Sequence, residues 1–227
     1  MPGNDILAID RDLWCLNSHF VTWGCKGSLR MTVIGTPKGL ILYSPVALSP
    51  EHVGQIESLG AVSAIIAPNL FHHFYLRACM AHFPGAQVFV PEGLAAKIGP
   101  IDGALDMAGF DAGDEIATCT ISGHRLNETV LFHHPTGTLV TADLLYNYQA
   151  EHYAAETLFF RLVGCYGKPA VAPYHRLAVT DKTALRHALA TIRAWPVRRI
   201  IMSHGRIVES DNAGDVFAKA WQRIVGL

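Results

Sequence analysis

Charge is scarce in this chain. Of its 227 residues only 16% are Asp, Glu, Lys or Arg, and the net charge is −1. That balance excludes the basic field a nucleic-acid partner requires. With half of all residues hydrophobic, it also excludes a disordered chain. No run of Lys and Arg marks contact with a membrane surface. Long apolar runs are missing as well: stretches such as Val62 to Ala67 fall far short of the roughly 20 residues that cross a bilayer. The first ten residues lack the basic-then-apolar order of a secretory leader, so the expected location is cytoplasmic. Cysteine is sparse and unpatterned. Cys15, Cys25, Cys79, Cys119 and Cys165 contain no CxxC spacing and read as buried reduced thiols. No repeat, low-complexity tract or linker divides the sequence, so residues 1–227 are expected to form a single domain.

Histidine, by contrast, is plentiful: twelve, against eighteen Lys plus Arg. Such an excess directs attention to metal sites. The local patterns show where those histidines fall. Ile6 to Ile9, Leu13 to Leu16, Met31 to Ile34 and Leu40 to Tyr43 read as strands, with a hairpin turn at Thr36-Pro37-Lys38-Gly39. Ser49 and Pro50 then start a helix whose apolar stripe is Val53, Ile56 and Leu59, with Gly60 expected as a left-handed C-terminal residue. Val62 to Ala67 is a buried strand. The turn Pro68 to His73 leads into a helix ending at Phe83-Pro84-Gly85, and Gln87 to Val90 is a strand again. Further strands are expected at Ile116 to Ile121, Thr129 to Phe132, Leu139 to Ala142 and Arg199 to Met202. Helices are expected at Asp181 to Ala194 and Ala213 to Val225. The aromatic stretch Tyr146 to Tyr174 follows neither period. Two β-rich halves, each with helices, predict sheets at the centre and helices outside.

Four strand exits carry metal-capable side chains: His72-His73, His124, Asp143 and His204. Loops at a shared sheet edge are where chemistry collects. Imidazoles with a carboxylate suit a divalent ion, zinc first, with iron or manganese also compatible. Each residue taken singly also has a structural reading as a loop or cap side chain.

These same segments resemble the metallo-β-lactamase superfamily over about Leu13 to Leu227. The strand and loop Ile65 to His73, Phe83-Pro84-Gly85-Ala86, Gly123-His124, Leu139-Val140-Thr141-Ala142-Asp143 and Ser203-His204-Gly205 are similar to its successive motifs. Arg30 to Val33, Ser44-Pro45-Val46, Pro68-Asn69, Asn127 to His133 and Thr138 to Leu144 resemble an uncharacterised branch known only as a domain of unknown function. The resemblance implies a four-layer αββα sandwich of α/β (α+β) class. It also implies departures: Pro68 and Leu70 stand where the family's first two loop histidines would be, and His72 stands at its aspartate. His73 is the loop's one matching ligand, and is expected to matter more to a metal than His72.

The expectation is one divalent ion, held by some of His72, His73, His124, Asp143 and His204. Hydroxide supplied from its water would attack an ester, thioester or lactone. Asp143 is the candidate ligand or base and His72 the candidate ligand or proton carrier. Asn69 or Tyr146 is a candidate donor to the oxyanion. A small molecule is the expected partner, with no nucleic acid and no membrane. The rival expectations are a degenerate fold without metal that binds a ligand or a partner, and iron-based redox chemistry. Tyr146, Tyr148, Tyr153, Phe159, Phe160 and Tyr166 would line a pocket, form a homodimer interface or simply pack on the core.

Overall fold

Apolar residues fill both faces of the central strands, and this dictates burial from both sides. In β4 (Gly39–Tyr43), Leu40 and Leu42 point one way while Ile41 and Tyr43 point the other. In β11 (Arg199–Met202), Ile200 and Met202 oppose Ile201 in the same manner. The computed structural model describes residues 5–22, 25–149 and 153–226. A seven-stranded sheet runs in simple chain order: β1 (Leu7–Asp10), β2 (Leu13–Thr22), β3 (Cys25–Thr36), β4, β5 (Val62–Ile66), β6 (Gln87–Val90) and β7 (Ala104–Asp106). A five-stranded sheet is built from β8 (Ile116–Thr120), β9 (Thr129–His133), β10 (Thr138–Thr141), β11 and β12 (Val208–Glu209), ordered β12-β11-β10-β9-β8. The inner faces meet in one core that joins Leu13, Ile41, Tyr43 and Ile66 to Leu131, Val140 and Ile201.

Helices close the outer faces. Against the first sheet lie α1 (Pro50–Leu59), α2 (Leu76–His82) and α3 (Leu94–Ile98), through Ile56, Leu76, Cys79 and Leu94. Against the second lie α6 (Lys182–Arg193) and α7 (Ala213–Val225). Leu185, Leu189 and Ile192 of α6, and Phe217, Trp221 and Val225 of α7, repeat every three or four residues and so form one stripe on each helix. The result is the four-layer αββα sandwich. Between β10 and α6 lie α4 (Ala154–Leu162) and α5 (His175–Ala178). Among the described residues no helix is long and apolar enough to cross a membrane.

Three local expectations change. The first hairpin is much longer than its apolar runs: β2 and β3 pair in unbroken register from Leu13 with Ile34 out to Thr22 with Cys25. The outer half carries Asn17, Ser18, Lys26, Gly27 and Ser28. Phe20 and Leu29 tie it to the core of the first sheet, but the polar residues around them break the hydrophobic alternation. Gly60 ends α1 at φ 153° and ψ 179°, outside the αL region but still at a positive φ that L side chains rarely adopt. The aromatic stretch is partly helical, and Tyr146, Tyr148, Phe160 and Cys165 gather in a small separate core.

Candidate metal centre and its cleft

Strand ends from both sheets converge on one edge of the sandwich. Asp143 follows β10 and His204 follows β11, which pair in parallel, Thr141 beside Met202. The loop after β5 brings His72 across from the other sheet. His72 Nε2 lies 3.2 Å from Asp143 Oδ2 and 3.2 Å from His204 Nε2, and His204 Nε2 lies 3.3 Å from Asp143 Oδ1. Each of the three is 8% exposed, buried yet reachable from the cleft. Asp143 and His204 are thus within direct reach across 61 positions, as the paired strand ends require.

Each ligand atom is aimed by a second group. His204 Nδ1 faces the Ser28 carbonyl at 2.6 Å, so that nitrogen carries the proton and Nε2 turns its lone pair to the cluster. His72 Nδ1 meets Ser44 Oγ at 2.7 Å, and Ser203 Oγ donates to Ser44 Oγ at 3.0 Å. Ser44 is held at φ +61°, an unusual conformation for a non-glycine residue. Asn69 accepts the Phe71 and His72 backbone N–H groups on its side-chain oxygen, at 2.8 and 3.0 Å, which folds the loop and sets His72. Its amide donates to Asp143 Oδ2 at 2.9 Å and Glu128 Oε2 at 2.8 Å. Both amide hydrogens are therefore committed to carboxylates, and the expected oxyanion role of Asn69 is withdrawn. The His204 strand exit requires glycine next: Gly205 is at φ +88°, and a Cβ there would meet the Asn147 carbonyl oxygen at 2.5 Å.

Beneath the cluster is a fully buried carboxylate. Glu128 takes Thr141 Oγ1 at 2.5 Å and Ala142 N at 2.7 Å on Oε1, and Asp143 N at 2.9 Å with the Asn69 amide on Oε2. Burial, then the Asp143 charge, push its pKa up, while Thr141 and the two backbone N–H groups pull it down. Burial also opposes ionisation of Asp143, but the facing His72 and His204 rings hold its carboxyl well below the usual carboxylate range. Burial opposes protonation of His204; the hydrogen bond and charge of Asp143 outweigh it and raise its pKa.

Two expected ligands lie elsewhere. His73 is half-buried and stacks on Phe74, ring centroids 4.8 Å apart, outside the cluster. The loop turns His72 inward and His73 outward, so His73, expected to matter more to a metal than His72, is not among the three side chains brought together here. His124 also stands apart: its Nδ1 accepts the Leu126 N–H at 3.3 Å, and its Nε2 lies 3.2 Å from His175 Nδ1. Both nitrogens are used within the protein. With Nδ1 an acceptor, His124 Nε2 donates to His175 and leaves the His175 Nε2–H buried without a hydrogen-bond partner among the described residues. Trp221 packs edge-on against both rings, and burial, then His124, lowers the His175 pKa to about 4.

A cleft of about 320 Å³ opens onto the cluster. Its walls are mainly apolar, including Phe20, Leu29, Phe71, Phe74, Leu126 and Tyr174, and its polar end is formed by His72, Asp143, His175 and His204. Tyr146 OH lies 3.4 Å from Asp143 Oδ1 and takes a hydrogen bond from Tyr174 OH at 3.0 Å. Burial, then the Asp143 charge, raise the Tyr146 pKa well above normal, so it stays a neutral phenol.

The donor set fits a divalent ion. Two Nε2 atoms face each other with a carboxylate between them, and all three ligand atoms lie within 4.8 Å of one another. Four ligands at about 2.0–2.1 Å from zinc stand about 3.3 Å apart, close to the separations here. His175, Glu128, Ser28 and Ser44 went unassigned in the sequence reading. A glutamate opening the apolar strand Thr129 to Phe132 was the available signal for Glu128.

The backbone is that of the metallo-β-lactamases. A metallo-β-lactamase from Pontibacter korlensis superposes with a TM-score of 0.67 at 13% identity, covering 98% of each chain. One from Hirschia baltica gives 0.64 at 11% identity over 97% of each. A metal-soaked flavodiiron core from Synechocystis gives 0.62 at 14% identity, covering 98% of this chain and 60% of that one. At such identities the likeness establishes the fold alone. Residues 10–118 match a family model described as Domain of unknown function (DUF4336). No curated protein matches.

Proposed function

We propose that this chain is a metal-dependent hydrolase acting on an ester, thioester or lactone whose acyl portion is apolar, with one divalent ion held by His72, Asp143 and His204. The observation that carries the reading is the convergence of two Nε2 atoms and a buried carboxylate from both sheets, at the end of an apolar cleft. A divalent ion bound there supplies a water acidified toward neutral pH and a Lewis acid for the carbonyl. The chain's own residues do the rest. Phe20, Leu29, Phe71 and Leu126 take the apolar substituent and exclude water. His175 offers an N–H beside the carbonyl oxygen, while the Tyr146 hydroxyl donates to Asp143 Oδ1. Asp143, already an anion, accepts or returns a proton at Oδ1, the atom Tyr146 OH approaches.

Two histidines and one carboxylate also form the donor set of iron(II) oxygenases, so an iron-dependent redox enzyme is the second reading. A panel of p-nitrophenyl esters, thioesters and lactones of increasing acyl length, assayed with zinc, manganese or iron restored after chelation, tests the first. Metal-dependent turnover that rises with acyl length supports it. Turnover that survives chelation refutes it.

A further inference from the structure

Beside the metal cluster lies a second recess with its own buried charge. Glu156 stands in the first turn of α4 and is 8% exposed. Its Oε1 collects three hydrogen bonds, from Ser28 N at 2.9 Å, Ser28 Oγ at 3.0 Å and Tyr148 OH at 2.8 Å. Its Oε2 is buried and has no hydrogen-bond partner among the described residues. Among the described residues no Lys or Arg forms an ion pair with Glu156. The recess measures about 430 Å³ and is walled by Phe20, Tyr146, Tyr148, Phe159, Phe160 and Tyr174. Asp143 and His204 line it as well as the main cleft, so the two spaces meet at the cluster.

We propose that this recess is a subsite for an organic cation, an alkylammonium group carried by the substrate. The proposal deepens the hydrolase reading by naming a substrate class, and rests on that reading only for the bond cleaved. A buried carboxylate is costly without a compensating charge, and here the hydrogen bonds all fall on one oxygen. Aromatic faces attract cations within about 6 Å. Tyr148 and Phe160 stack on each other, and the exposed rings of the wall are Phe159 and Tyr174, 47% and 40% exposed. A neutral alcohol gains nothing from the ring faces or from the carboxylate's charge. An anion is repelled by both Glu156 and Asp143. The subsite is also tied to the cluster: Glu156 binds the N–H and hydroxyl of Ser28, and the Ser28 carbonyl holds His204 Nδ1. Among the described residues Lys26, which is exposed, is the one basic side chain lining the recess besides His204.

The test needs no turnover. Choline and its neutral isostere 3,3-dimethylbutanol are titrated into the metal-free protein by calorimetry, so failure of hydrolysis and failure of the subsite are read separately. Wild type is expected to bind choline about 10-fold more tightly than the alcohol. Glu156→Gln retains an acceptor for Ser28 and Tyr148 but loses the charge, and should bring the two ligands within about 2-fold of each other. Lys26→Glu, an exposed change, should tighten choline about 2- to 5-fold at low salt and leave the alcohol unmoved. Equal affinities in wild type, no binding of either probe, or an unchanged preference in Glu156→Gln overturns the proposal.

Discussion

Removing Glu128 tests whether a buried carboxylate organises the cluster from below. All four of its partners donate to it, and three of them are N–H groups that cannot accept. In Glu128→Gln the new NH2 group should settle at the Oε1 position, because Thr141 can reverse its hydroxyl and accept. That leaves the Ala142 N–H unpaired and converts charge-assisted bonds on the other oxygen to neutral ones. A buried unsatisfied donor costs about 1–3 kcal/mol, and relief from burying the charge offsets part of that. A net loss of about 2 kcal/mol is expected for Glu128→Gln. Glu128→Ala deprives all four donors and adds a cavity, for a loss of about 4 kcal/mol or more. Urea unfolding with a common m-value reads both differences. Because the bonds that hold Asn69 and Asp143 N both lose their charge assistance, metal affinity should fall about 10- to 100-fold in Glu128→Gln even where the protein stays folded. A loss below about 1 kcal/mol in Glu128→Ala, or unchanged metal affinity, would show that Glu128 is a bystander.

Metal analysis of loop variants should find His72→Ala depleted and His73→Ala fully loaded; the opposite pattern would restore the inherited-ligand reading of the loop. Stability should fall as pH drops from about 6.5 to about 4: the unfolded His175 takes up a proton there that the folded ring refuses until about 4. His175→Asn should flatten that slope by about 2–3 kcal/mol in urea titrations across the same window, and an unchanged slope would remove His175 as its source. Gly205→Ala should cost about 2–4 kcal/mol, since the backbone of Asn147 cannot yield to a Cβ at φ +88°; a thermal midpoint within a degree of wild type would refute the close approach.

How far the sequence reaches can be judged residue by residue. The paired strands ahead of Asp143 and His204 are legible because Leu139-Val140-Thr141-Ala142 runs straight into Asp143, and Ile200-Ile201-Met202 into Ser203-His204. Their proximity follows from the parallel pairing of β10 with β11. Which loop histidine turns inward was not legible. That choice is made by Asn69, whose side-chain oxygen caps two successive backbone N–H groups, and by Ser44, which belongs to a different strand end. Helix α4 and the outer halves of β2 and β3 escaped notice because polar and aromatic residues there follow no simple period. His175 was hidden in that same stretch, so the partner that draws His124 away from the cluster could not be named. Glu128 was visible as a charge beside an apolar strand, but its four donors come from Asn69 and from the end of β10.

The central claim is that His72, Asp143 and His204 hold one divalent ion. Elemental analysis of protein purified without added metal or chelator measures this directly, alongside Asp143→Asn and His204→Ala prepared in the same way. The account predicts about one equivalent of zinc, manganese or iron in the wild-type chain and a small fraction of that in either variant. Wild-type protein without metal, two equivalents in place of one, or variants that keep their metal would contradict it.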